Sequence, residues 1–251
     1  MQNNVQNSPL KAQLSALQQQ FSEALSAEVA PAFRKIIAHF SAQKIYHIGL
    51  EFNAGSWSYC QPFACCEQGL LQGVKQCVAE EGVSDDEMKR SIRWDPGSVS
   101  CLPVEEVVRD MLPQLESSLA GINVFLENLD PIYSSPLPDS DSERARSREL
   151  QESYYDVIRE FHKVLYQTGI DALCHIAALP DIASFLKTSS CVMSLSSYEL
   201  DEQQFVVDIQ RINGKLAAVK VEEDFQVKTR VFGGEPSEEE IKAFIAAHQR
   251  T

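Results

Sequence analysis

Apolar positions along the chain change period several times, and those changes mark the elements. Leu10, Leu14, Leu17, Phe21, Leu25 and Val29 recur at helical spacing, which predicts an amphipathic helix with Ser8 as N-cap and Pro9 at its first position. Pro31 interrupts the stripe, and Phe33, Ile36, Ile37 and Phe40 resume it, so one kinked helix and two helices both fit. Tyr46, Ile48, Leu50 and Phe52 then alternate with His47, Gly49 and Glu51, the pattern of a half-buried strand. Asn53-Ala54-Gly55 forms a turn, and Trp57 and Tyr59 continue the alternation, which predicts an early hairpin.

Helical spacing returns at Leu70, Leu71, Val74, Cys77 and Val78 and ends near Gly82. Ser84-Asp85-Asp86-Glu87 is a capping box opening a short helix toward Ile92. From Pro103 to Leu129 the stripe is nearly unbroken, with Pro113 and Gly121 as its weak points. Residues 131–147, rich in Pro, Ser and charge, predict an exposed loop, and a further helix follows from Arg148 to Thr168 with Gly169 as its C′ residue. Cys191–Leu195 is a short buried-strand candidate. The stretch 199–223 fits either a hairpin turning at Asn213-Gly214 or a helix ending there, the helix slightly better. Ser237-Glu238-Glu239-Glu240 caps a last helix over 237–250.

Helices in runs around a few short strands define an α+β class, with a small, mostly antiparallel sheet packed by amphipathic helices. The expected organisation is one domain over 1–251, with an N-terminal helical extension (8–40), the loop 131–147 and the C-terminal helix 237–250.

Charge narrows the function classes. Thirty-six acidic residues face 22 basic ones in 251, a formal net charge of −14. Such a chain repels nucleic acid and anionic lipid and attracts basic proteins. The N-terminal MQNNVQNSPLKAQL has neither a basic n-region nor an apolar h-region, and no apolar run is long enough for a transmembrane helix. The seven cysteines, odd in number and irregularly spaced, predict reduced thiols in a cytoplasm.

Candidate chemistry is sparse. Phosphate loops, dinucleotide fingerprints, nucleophile elbows and zinc-protease motifs are all missing from the sequence. Cys60, Cys65, Cys66 and Cys77 lack the Cys-x-x-Cys spacing of a zinc site, so no metal ligand, cofactor or catalytic residue is expected. His47 and Glu51 point the same way but stand about 13 Å apart along a strand, too far to share one ion. One thiol-based alternative pairs Cys60, Cys65 or Cys66 with His47. Two acidic clusters, at residues 85–87 and 238–240, suit helix N-termini. Asp139, Asp141 and Glu143 in the loop, and Glu222, Glu223 and Asp224, instead read as solvated faces able to steer a basic partner. Arg93-Trp94-Asp95-Pro96 is the most distinctive tetrapeptide; Trp94 fits a core position, while Arg and Trp together are also typical interface anchors.

The early hairpin, the helix after it, Arg93-Trp94-x-Pro96 and a helix ending at Gly169 before a short strand together resemble the bacterial domain-of-unknown-function family 4303, over roughly Phe33 to Gly214. After the proline, where that family has a second tryptophan, this chain has Gly97-Ser98-Val99. The family has no established catalytic residues, and some members resemble immunity proteins encoded beside polymorphic toxins. The resemblance therefore implies a toxin-neutralising immunity protein, which fits an acidic, cytoplasmic chain without catalytic motifs; with the charge, the expectation is a non-enzymatic protein that neutralises a basic toxin by direct binding. Its expected contact residues are Arg93, Trp94, Asp139, Asp141, Glu143, Glu222, Glu223 and Asp224. The rival expectations are a thiol-dependent enzyme or regulator and a housekeeping scaffold.

Overall fold

The structure, a computed structural model, describes residues 3–53, 57–77, 83–97, 99, 101–134, 141–197 and 200–232. The C-terminal helix expected over 237–250, the Ala54-Gly55 part of the first turn and the helix end near Gly82 lie outside the described residues. Helix α1 spans Asn3–His39 without a break, passing through Ser8-Pro9 and Pro31. Pro31 is exposed, so the hydrogen bond its ring removes lies on the solvent side. Phe21, Leu25, Val29, Phe33 and Ile36 are fully buried, making the expected extension a central part of the core.

Strands β1 (Ile45–Phe52) and β2 (Cys60–Cys66) pair antiparallel, as the hairpin predicts. The second strand begins later than expected: Trp57 sits in the connection at φ 52°, donates its amide to the Asn53 carbonyl (2.8 Å) and stacks on Phe52. A bulge between Ile45 and His47 also breaks the alternation. Ile48, Leu50 and Phe52 keep to one face, whereas Tyr46 joins the opposite one beside His47 and Phe63.

Helices α2 (Glu67–Gln76), α3 (Asp85–Ile92), α4 (Val104–Val108), α5 (Pro113–Ser134), α6 (Asp141–Ala177) and α7 (Pro180–Ser189) follow in order. Strand β3 (Val192–Ser196) comes next, then α8 (Glu202–Asn213) and α9 (Lys215–Phe232). The strand order is β2-β1-β3, and β1 pairs with β3 in parallel. The α+β class is borne out, but the sheet is mixed rather than mostly antiparallel. Its third strand arrives through a long helical crossover, which permits parallel pairing where a short turn does not.

Three further expectations are corrected. The 131–147 loop shrinks, because α5 runs to Ser134 and α6 starts at Asp141; the Glu, Arg and Ala of 143–146 are good helix formers. Gly169 does not end a helix. It lies inside α6, where an added Cβ would come within 2.9 Å of the Leu195 side chain, so the missing side chain lets α6 approach β3 closely. Gly121 likewise interrupts nothing in α5, while the break between α4 and α5 falls at Pro113.

The Ser84–Glu87 capping box forms as read, with Glu87 N donating to Ser84 Oγ (3.3 Å) and Ser84 N to Glu87 Oε2 (3.1 Å). Within the 199–223 stretch the chain is helical over 202–213 and again from Lys215, and Gly214 (φ 88°) turns it between α8 and α9. Asn213 works alongside it: its side-chain amide accepts from Met193 N (2.8 Å) and donates to Met193 O (2.7 Å), covering backbone groups on the edge strand β3.

The core lies in two bodies. Helices α1, α5 and α6 supply side chains to a cluster containing Ile48, Leu50, Met193 and Leu195. Helices α3, α8 and α9 supply a second, containing Tyr46, Phe63, Trp94 and Val192. Helix α5 depends on α1 for its start, because the buried Glu28 carboxylate accepts from Gln114 N (3.0 Å) and Leu115 N (2.9 Å), amides with no acceptor inside their own helix. No single described helix is long and apolar enough to cross a membrane.

Candidate functional site

A pocket of about 370 Å³ opens where β1 and β3 end side by side and α3, α8 and α9 close around them. Glu51, the next-to-last residue of β1, and Ser196, the last of β3, line it from the sheet. Trp94 comes from the turn after α3, Glu202 and Phe205 from α8, and Phe225 and Lys228 from α9. Phe205 and Phe225 meet edge to face at 5.8 Å. Lys228 Nζ stands 5.6 Å over the Phe225 ring and pairs with Glu202 at 2.7 Å. Glu51 makes no ion pair and no side-chain hydrogen bond among the described residues. Among the described residues, three carboxylates (Glu51, Asp95, Glu202) and one ammonium (Lys228) line the pocket, a net formal charge of −2.

The wall behind the pocket is polar and fixed. Trp94 Nε1 donates to Asp224 Oδ2 (3.0 Å), and Arg90 Nε donates to Asp224 Oδ1 (2.6 Å). Arg93 is held by Glu67 at 2.6 Å, and its guanidinium lies 4.3 Å from the Tyr46 ring centroid. Lys89 adds a second contact to Glu67 at 2.9 Å. Burial works to raise the Glu67 pKa, but hydrogen bonds from Lys89 and Arg93 outweigh it and hold the carboxyl below its ordinary range.

These placements redistribute the sequence candidates. Trp94 lines the pocket, Asp224 braces it from inside, and Arg93 is committed to Glu67 and Tyr46. Asp224 is therefore not a solvated carboxylate like Glu222 and Glu223, which are exposed on α9. The helical period of α9 turns position 224 inward with Val221 and Val227, three residues to either side, and leaves 222 and 223 outside. Glu143 is exposed near the start of α6, away from the pocket lining; Asp141 is the first residue of that helix, and Asp139 lies outside the described residues. Glu202, Phe205, Phe225 and Lys228 were not singled out by sequence, because a helix stripe does not reveal which of its members flank a strand end.

The cysteine–histidine alternative loses its geometry. Cys65 is joined to Cys101 in a disulfide across an antiparallel bridge, 36 residues apart in sequence, which corrects the expectation of uniformly reduced thiols. Spacing rules detect local cysteine pairs, whereas this pair is created by the chain returning beside β2. Burial pushes the Cys60 thiol up to about 12, and Cys66 Sγ accepts from Gly69 N at the start of α2. His47 is fully buried among Tyr46, Phe63, Trp94 and Phe205. Its Nε2 is 2.7 Å from Ser194 Oγ, but Nδ1 has no hydrogen-bond partner, so the carboxylate that would orient a Ser–His pair is missing among the described residues. The described residues contain no group of His, Cys, Asp and Glu side chains arranged to hold a metal.

Burial, reinforced by the nearby Arg93 charge, lowers the His47 pKa from 6.5 to about 3. Above the unfolded value the imidazole is neutral in both states. Below it the unfolded chain takes up a proton that the folded chain refuses until about pH 3, so stability falls as pH falls through this window. The limiting contribution is about 1.4 kcal/mol per pH unit. Urea midpoints between pH 7 and pH 4 should therefore fall more steeply for the wild type than for His47→Gln; equal slopes would contradict the buried neutral imidazole.

Comparison with protein-family models, curated proteins and solved structures finds no match for this chain.

Proposed function

We propose that the protein is a non-enzymatic, acidic binding protein that acts on a basic protein partner, most concretely as an immunity protein neutralising a basic bacterial toxin. The reading is carried by one contrast. Of the groups that a thiol chemistry at the first hairpin would use, His47, Cys60 and Cys66 are buried and Cys65 is covalently paired, while carboxylates such as Glu222 and Glu223 stand exposed on the helix that supplies Phe225 and Lys228 to the pocket. A net charge of −14 gives such a surface long-range attraction for a cationic protein, expressed chiefly in the association rate.

Co-expression with the toxin-like product of an adjoining gene tests the proposal. Restored growth and a stable complex are expected, with an association rate that falls steeply as salt rises past the screening range of about 0.1 M. No rescue and no complex, or a rate indifferent to ionic strength, would overturn it.

A further inference from the structure

We infer that the pocket at the ends of β1 and β3 is a receptor for a single cationic side chain, arginine in preference to lysine, presented by a protein. The inference rests on the proposed basic partner and adds the place where one of its residues is held. Three observations converge on a cation. The described lining residues carry a net charge of −2, and they include a carboxylate, Glu51, with no partner among the described residues. Phe205 and Phe225 line the same pocket, and an aromatic face attracts a guanidinium. The chain's own Lys228 already shows the mode, its ammonium lying over Phe225 while paired to Glu202.

Size limits the guest. About 370 Å³ lies at the small end of the roughly 300–1,000 Å³ range of ligand sites, which suits one long side chain with its flanking backbone. Arginine is favoured over lysine because a planar fork can engage both oxygens of Glu51 while stacking on a ring. Lys228 competes with the guest for the negative field of the pocket. Removing the two charges should therefore act in opposite directions.

The test is a titration of the full chain with the blocked tripeptide acetyl-Gly-Arg-Gly-amide, followed by NMR at the Trp94 indole N–H, with Trp57, buried in the other cluster, as internal reference. A saturable shift of the Trp94 signal is expected, absent with the citrulline analogue, which keeps the shape and loses the charge. Glu51→Gln should weaken binding about tenfold, the size expected for a lost charge-assisted hydrogen bond. Lys228→Met should tighten it severalfold, by releasing Glu202. Equal binding of citrulline, an unchanged affinity in Glu51→Gln, weaker binding in Lys228→Met, or preference for a Glu tripeptide would each overturn the assignment. The two readings also fail separately. If a basic protein binds Glu51→Gln as tightly as wild type, the pocket assignment falls and the partner stands; if the tripeptide binds while no basic protein does, the reverse holds.

Discussion

Gly49→Ala is expected to be the most damaging single-methyl change in the described fold. Gly49 lies in β1 directly opposite Ser194 of the parallel strand β3. A Cβ there would overlap the Ser194 carbonyl oxygen, come within 2.9 Å of its carbonyl carbon and press on Phe63 at 3.0 Å. Neither strand backbone can yield as a flexible side chain does, so β3 must separate from β1. The cost should reach about 3 kcal/mol or more, and for a chain of this size that lowers Tm by about 10 °C. Two other glycines are controls. Gly121→Ala, with nothing nearer than Leu17 at 3.5 Å inside α5, should be neutral or stabilise by up to about 1 kcal/mol. Gly214→Ala meets open space but a φ of 88°, and should cost about 1 kcal/mol. A Gly49→Ala protein melting within a degree or two of wild type would refute the close approach of β1 and β3.

Asp224→Ala should be nearly as costly, for a different reason. The carboxylate serves two donors at once, the Trp94 indole and the Arg90 guanidinium, and it is 4 % exposed. Removing it leaves a buried N–H without an acceptor and a cation without its partner, together about 3 kcal/mol. Asp224→Asn can still accept from Trp94 and should lose roughly half as much. Chemical denaturation gives the stability, and tryptophan emission gives the local effect: Trp94 should shift to the red in the alanine variant while Trp57 stays buried. A loss below about 0.5 kcal/mol, the usual scale of an exposed pair, would show that this carboxylate is not the brace its position implies.

Both residues show why parts of this molecule were legible in sequence and others were not. The Ser84–Glu87 box and the helix ending at Asn213-Gly214 are local devices, with partners within a few residues. The parallel pairing of β3, the bulge that turns Tyr46 to the other face and the inward carboxylate of Asp224 depend on chain segments far away in sequence. Arg93-Trp94 stood out correctly as distinctive, yet its meaning lay in Glu67 and Asp224, residues with no spacing relation to it. Glu51 was seen on the same side of a strand as His47, but only α3 and its following turn, α8 and α9 make the end of that strand into a pocket.

The Glu28 contact carries a consequence for how the chain can be divided. The start of α5 has its acceptor for the amides of 114 and 115 in another helix, 86 and 87 residues earlier. The two helices therefore define each other's order of assembly: α5 is left with bare amides at its head until α1 docks. A fragment beginning after residue 28 keeps every strand of the sheet and still lacks the group that closes the head of its fifth helix.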